Sequence, residues 1–256
     1  MLGLTGRRIV VASGATGIGA ATAERLAVEG VRLIVGDVNE AGVTATVERI
    51  KRAGGTAEAV RFDLGDKASI ETLVETCVVR YGGIDGLVNV GADMAAAVQE
   101  LQANLLSMNE DHWERTFAIN VTGHALTIRA AIPHMIKSGG GSIACVTSAA
   151  AIAGLPTQPA YASSKVALHG LIRHVATCWG KQNIRCNGIA PGWVISEAVK
   201  KQIDPKVLED AVASVPHTRL GTPEDMAALL AFLMSTDSEW INGQVIAING
   251  GAHFRD

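Results

Sequence analysis

The chain has 256 residues, 48% of them hydrophobic and 18% charged, with a formal net charge of −3. That is ample apolar material for a large core, and a weak negative charge without any Lys/Arg block argues against a nucleic-acid binder or a protein held on an acidic membrane. Abundant glycine (28 residues) beside scarce proline (7) suits repeated strand-to-helix turns and excludes a collagen-like or disordered chain.

In chain order, the apolar run Arg8–Ala12 predicts a first strand, followed by a Gly-rich turn and a helix over Gly17–Glu29. Val31–Asp37 predicts a second strand before a helix over Glu40–Ala53, and Ala57–Phe62 a third before a helix over Lys67–Arg80. Gly86–Val90 predicts a fourth strand ending in a small-residue loop. One long helix is expected over Asp111–Ile136, then a strand over Gly141–Thr147, a helix over Ala160–Gly180 and a strand over Ile184–Ile189. Gly192–Arg219, with Trp193, Pro205 and Pro216, is irregular: a substrate flap at about 192–219, or else an ordinary long connection. Thr222 starts a helix, with Pro223 first and Asp225 third in it, and Gln244–Ile248 is a last short strand.

Short strands that are apolar throughout are covered on both faces, and their alternation with helices implies parallel pairing. The expected fold is therefore α/β: a Rossmann-type, doubly wound parallel sheet with helices on both faces, a three-layer sandwich. No linker or composition shift divides the chain, so one domain over residues 1–256 is expected. No leader-like segment or run of about 18 apolar residues is present, which predicts a soluble, cytoplasmic protein with no membrane partner. Cys77, Cys145, Cys178 and Cys186 form no C-x-x-C pair and read as reduced, buried thiols. His112, His124, His134, His169, His174, His217 and His253 lack ligand spacing, so no metal is expected and they read as surface or interface residues.

The string Ser13-Gly14-Ala15-Thr16-Gly17-Ile18-Gly19 follows the first strand and opens a helix. Glycines there let backbone approach a pyrophosphate, and the helix N-terminus offers free N–H groups and partial positive charge. Asp37 ends the second strand, 18 residues after Gly19. This is the place of a carboxylate that holds an adenosine ribose and repels a 2′-phosphate. Gly36, Val38 and Asn39 bring no positive charge, so the pattern favours NAD over NADP.

Tyr161 and Lys165 stand four residues apart near a helix start and so share one face. A free phenol titrates near 10, but a neighbouring ammonium and a nicotinamide cation favour phenolate and would lower that value. Tyr161 is thereby a candidate for proton transfer. Ser148, 13 residues upstream at the end of a strand, falls on the same sheet edge as the Gly-rich turn and is placed to hold a substrate oxygen.

The chain resembles the short-chain dehydrogenase/reductase family in its compact form. The resemblance rests on Gly17-Ile18-Gly19, Asp37, Asp63, Asn89, Asn120, Ser148, Tyr161, Lys165, Pro191-Gly192 and Asn249-Gly250-Gly251, in the family's order. It implies Tyr161 as general acid/base, Lys165 on the nicotinamide ribose, Ser148 orienting the substrate oxygen, and Asn120 holding a proton-relay water. It implies that Asp63 and Leu64 meet the adenine, that Asn89 and Gly91 lie beside the adenosine ribose, and that Pro191, Gly192, Val194 and Ser196 seat the carboxamide. Ser196 stands where the family usually has threonine. Two further departures are Ala12-Ser13 for the usual Thr-Gly, and Asn89-Val90-Gly91-Ala92 for the usual Asn-Asn-Ala-Gly. A serine at positive φ costs about 1 kcal/mol or more, so Ser13 is expected in an ordinary conformation.

These residues lead to an NAD-dependent enzyme acting on a secondary alcohol or ketone. Ala149, Ala150, Ile152, Leu155, Trp193 and Val194 suggest an apolar substrate. A rival is an NADPH-linked 3-oxoacyl carrier-protein reductase, for which Arg129 is retained but Thr177 and Cys178 replace the usual Arg-Glu pair of the carrier-docking helix. A non-catalytic nucleotide sensor or scaffold is the alternative of another class. The resemblance further implies a homotetramer or homodimer.

Overall fold

The computed structural model describes residues 1–196 and 203–254. Seven strands form one sheet in the order β3-β2-β1-β4-β5-β6-β7. They are β1 (Arg8–Ala12), β2 (Arg32–Asp37), β3 (Thr56–Arg61), β4 (Gly86–Asn89), β5 (Gly141–Val146), β6 (Ile184–Pro191) and β7 (Val245–Ile248). Every pairing is parallel, with Val10 opposite Ile34 on one side and Leu87 on the other. Parallel strands need crossovers, and helices fill them. The result is the Rossmann-type doubly wound fold, with helices on both faces of the sheet.

Residues of each strand alternate between two cores. Ile9, Val11, Leu33 and Val35 face one layer with Leu26 of α1 (Gly17–Val28), Ile50 of α2 (Glu40–Arg52) and Leu230 of α9 (Pro223–Met234). Val10, Ala12, Ile34 and Leu87 face the other, with Leu73 of α3 (Lys67–Tyr81), Ile132 of α6 (His124–Lys137) and Ile172 of α7 (Pro159–Trp179). Each fully buried Leu or Ile contributes roughly 1.5–3 kcal/mol over its exposed state. The period-2 alternation explains why one-residue register slips are excluded.

Several elements differ from the sequence expectation. The expected single helix over 111–136 is two helices, α5 (Glu110–Phe117) and α6, joined by a π-helical turn at Ala118–Gly123. A short helix, α4 (Met94–Gln99), occupies the expected small-residue loop, with the Asp93 carboxylate capping Ala96 N at 3.1 Å. Within the expected flap, α8 (Pro205–Ala213) begins at Asp204, whose side chain caps Lys206 N at 2.7 Å. Residues 197–202 of that segment lie outside the described residues.

Three residue expectations are corrected. Cys178 is exposed, since it faces away from the sheet on α7, while Cys77, Cys145 and Cys186 are buried. His124 and His169 are core residues and not surface ones. His124 sits where α6 begins against β4 and reaches Gly91 O at 2.8 Å, and His169 packs inward towards Thr147 Oγ1 at 3.4 Å. No helix among the described residues is long and apolar enough to cross a membrane.

Candidate active site

Strand order reverses between β1 and β4, and in sheets of this kind ligands bind outside the carboxyl ends of the strands at such a point. The Gly-rich turn leaves β1 at this edge. Ser13 N and Gly14 N both donate to Gly36 O, at 2.8 and 2.9 Å. That double anchor reverses the chain sharply and puts Ser13 at φ +76°, contrary to the expected ordinary conformation. Positive φ in a non-glycine residue costs on the order of 1–2 kcal/mol, so the surrounding contacts must hold it.

The glycines of the turn have separate reasons. A Cβ on Gly14 would lie 2.2 Å from Val35 Cγ1, and one on Gly19 1.8 Å from Ser13 O, so both permit close backbone packing. Gly17 differs: at φ +54° its missing Cβ would meet nothing within 4 Å. Thr16 makes no side-chain cap on α1, so the helix N-terminus at this edge keeps orphan N–H groups. An open cradle over an uncapped helix start fits a phosphate-bearing ligand.

Asp37 stands at the end of β2 and is already engaged. Its Oδ2 accepts from Ala15 N and its Oδ1 from Asn39 N, each at 2.9 Å. The next residue, Val38, is exposed. Asp63 turns its Oδ1 to Gly65 N at 2.8 Å, and Leu64 is buried beneath. Asn89 is buried at the end of β4 with Oδ1 lacking a hydrogen-bond partner. Gly91 presents its carbonyl to His124 Nε2.

Ser148, Tyr161 and Lys165 converge on the same edge. Ser148 follows β5 in extended backbone and accepts from Ala150 N at 3.1 Å. Its hydroxyl lies near enough to the Tyr161 phenol, near the start of α7, to favour the phenolate. Lys165, one turn along, is buried; its Nζ donates to Val146 O at 3.0 Å and lies 5.7 Å from the centre of the Tyr161 ring.

Burial pushes the Lys165 amine down to about 8, opposed by Cys145. The Tyr161 phenol lies above its ordinary range, because burial outweighs the favourable Ser148 hydrogen bond. A phenol lowered by Lys165 is therefore not what this protein alone provides. Its carbonyl-bound ammonium does not overcome the desolvation of a phenolate.

Asn120 lies in the π-helical turn and is wholly buried. Its Oδ1 accepts from Asp93 N at 2.8 Å and its Nδ2 donates to Ser164 Oγ at 3.0 Å. Ser164 Oγ in turn donates to Tyr161 O at 2.7 Å. Ser164 was not among the sequence candidates, although it sits inside the Tyr161–Lys165 string. Asp93 was also missed; its carboxylate receives Arg115 Nε at 2.6 Å, fastening α4 to α5.

Pro191 ends β6, and Gly192 N donates to Ile248 O at 3.0 Å. A Cβ on Gly192 would lie 2.8 Å from Asn249 Cβ, so the Pro-Gly and Asn-Gly-Gly segments pack directly together. Val194 bridges to Gly221, and Ser196 closes this described stretch.

The family model described as enoyl-(acyl carrier protein) reductase matches residues 12–253. Dehydrogenase/reductase SDR family member 4 of Mus musculus is 34% identical over 253 residues, 98% of this chain and 89% of its own. The chain belongs to the short-chain dehydrogenase/reductase family. It is an oxidoreductase of that family. The 3-oxoacyl-(acyl-carrier-protein) reductase FabG of Thermotoga maritima is 33% identical over 248 residues, covering 97% of this chain and 98% of that protein. The 7alpha-hydroxysteroid dehydrogenase of Escherichia coli is 32% identical over 250 residues, covering 98% and 95%. A solved 7 alpha-hydroxysteroid dehydrogenase complexed with NADH and 7-oxo glycochenodeoxycholic acid superposes with a TM-score of 0.89 at 31% identity, covering 97% of this chain and 94% of that one.

Proposed function

We propose that this chain is an NAD(H)-dependent dehydrogenase/reductase that interconverts a secondary alcohol and a ketone of mostly apolar character. The observation that carries the reading is the gathering of Ser148, Tyr161 and Lys165 at one sheet edge, with buried Lys165 Nζ held by Val146 O and 5.7 Å from the centre of the Tyr161 ring. NADH in the superposing hydroxysteroid dehydrogenase supports the cofactor class. The Asp37 carboxylate beside a turn without positive charge supports the non-phosphorylated form.

Ser13 to Gly19 and Asp37 would hold the pyrophosphate and adenosine ribose. Val38, Asp63, Leu64, Asn89 and Gly91 would line the adenosine end, and Pro191, Gly192, Val194 and Ser196 would seat the carboxamide. When bound, the nicotinamide supplies or accepts the hydride. Ser148 Oγ orients the substrate oxygen. The Tyr161 hydroxyl gives its proton to that oxygen in reduction and takes it back in oxidation. Lys165 anchors the nicotinamide ribose, and the positive charge of an oxidised nicotinamide would favour the phenolate. Asn120, its side chain engaged at both ends, would hold the relay water. The single-domain, cytoplasmic and homotetrameric or homodimeric readings belong to this same proposal.

Screening secondary alcohols and ketones with NAD(H) and NADP(H) tests the reading. Tyr161→Phe should lower kcat by about a thousandfold on any true substrate while NADH still binds. Unchanged turnover would remove Tyr161 from the chemistry. The carrier-protein reductase reading draws on the Thermotoga maritima relative and on Arg129. A marked preference for NADPH would favour it.

A further inference from the structure

We infer that Ser13 and Gly91 are a matched pair: the serine side chain occupies the space that a side chain at position 91 would fill, and together they set the spacing between the Gly-rich turn and the loop after β4. This rests on the dinucleotide cleft of the proposed function, whose adenosine end these two segments wall. Ser13 thereby acts as a positioning residue for the cofactor.

A Cβ on Gly91 would fall 2.5 Å from Ser13 Oγ, 3.4 Å from Ser13 Cβ and 2.9 Å from Leu64 Cδ2. Rotating the serine hydroxyl away would not free the site, because Ser13 Cβ at 3.4 Å still keeps the loop from moving off Leu64 Cδ2. Leu64 is itself confined: a Cβ on Gly123 would lie 2.4 Å from its carbonyl oxygen and 2.7 Å from its Cγ. Gly91 is also held from below, its carbonyl fixed by buried His124 at 2.8 Å. Ser13 is fixed from the opposite side by Gly36 O, at 2.8 Å from its N–H. Two anchored backbones thus meet across one small side chain, and only one of the two positions has room for it. The two departures from the family pattern, Ser13 for glycine and Gly91 for alanine, face each other and exchange which side carries the carbon.

The test is a double-mutant cycle read by direct titration of NADH and by thermal unfolding of the ligand-free protein. Gly91→Ala should weaken NADH binding by about tenfold or more, as overpacking forces the two walls apart. Adding Ser13→Gly to it should recover binding to within about threefold of wild type, because the loop can then shift off Leu64. Coupling of the same sign should appear in the unfolding temperature. If Gly91→Ala does not fold alone, recovery of a folded protein in the double variant supports the pair, and an unfolded double variant overturns it. A Gly91→Ala variant that binds NADH as wild type does, or a double variant no better than Gly91→Ala, also overturns it. Wild-type protein that binds neither NADH nor NADPH would instead sink the proposed function and the cofactor role of Ser13, leaving the packing claim to the unfolding data.

Discussion

Asn120 Nδ2 donates to Ser164 Oγ across 3.0 Å, tying the π-helical turn to the helix that carries Tyr161 and Lys165. Because Ser164 Oγ also donates to Tyr161 O, the bridge fixes the backbone directly beneath the phenol.

Ser164→Ala should therefore lower kcat by about three- to tenfold with little change in KM, as the Tyr161 backbone loosens and Asn120 Nδ2 loses its partner. Leaving that amide unpaired in the core should cost about 1–3 kcal/mol of stability. Steady-state kinetics beside urea unfolding separates the two effects. A loss confined to stability would show that the bridge does not position Tyr161.

The strands, the Gly-rich turn and the Tyr161–Lys165 pair were legible because each is written locally, as an apolar run or as a residue spacing within one helical turn. The π-helical turn at Ala118–Gly123 was not, since the insertion barely disturbs an apolar pattern over 26 residues (111–136). Asp93 before Met94 and Asp204 before Pro205 were proper helix starts. They were hidden by the small-residue loop and by the prolines of the expected flap. Ser13 at positive φ follows from Gly36 on another strand, and burial of His124 from its contact with Gly91. Such long-range contacts leave no mark in local sequence.

Tyr161 sits above its ordinary range because burial outweighs the Ser148 hydrogen bond. In ketone reduction the phenol must be protonated, so kcat/KM at saturating NADH should stay flat through neutral pH and fall only as pH climbs through that raised value. In alcohol oxidation the phenolate is needed, and the positive charge of NAD+ favours it. The oxidation profile at saturating NAD+ should thus rise at lower pH than the reduction profile falls. Coincident apparent pKa values in the two directions would contradict this account.

Asp37 has two tasks, because both its oxygens hold backbone N–H groups of the turn that it would also serve as a ribose acceptor. Asp37→Asn keeps the shape and removes the charge, and its single amide oxygen can accept from only one of Ala15 N and Asn39 N. The ratio of KM for NADP to KM for NAD should fall by about tenfold or more, since a 2′-phosphate no longer meets a carboxylate. Asp37→Ala should move the ratio the same way and in addition cost about 1–2 kcal/mol, by freeing Ala15 N and Asn39 N. An unchanged ratio in both variants would mean that selectivity is set elsewhere.

Asp225 links acid stability to the segment beside the proposed nicotinamide site. Arg219 hydrogen bonds hold its carboxyl down to about 2. Arg219 Nη1 meets Oδ2 at 2.6 Å, and the same oxygen accepts from Thr222 N at 2.8 Å. Gly221, between these residues, donates to Trp193 O at 3.0 Å and accepts from Ile195 N at 2.9 Å. A carboxyl whose folded value lies below the unfolded one stabilises the protein fully above the ordinary value near 4. That contribution fades as pH falls from about 4 through about 2, below which both states are protonated. Asp225→Asn should accordingly be less stable than wild type at pH 6, and the deficit should shrink steadily between about pH 4 and about pH 2. Urea unfolding of the two proteins across that range measures it. A deficit that stays constant with pH would assign the loss to the helix start at Thr222 and not to the ionised pair.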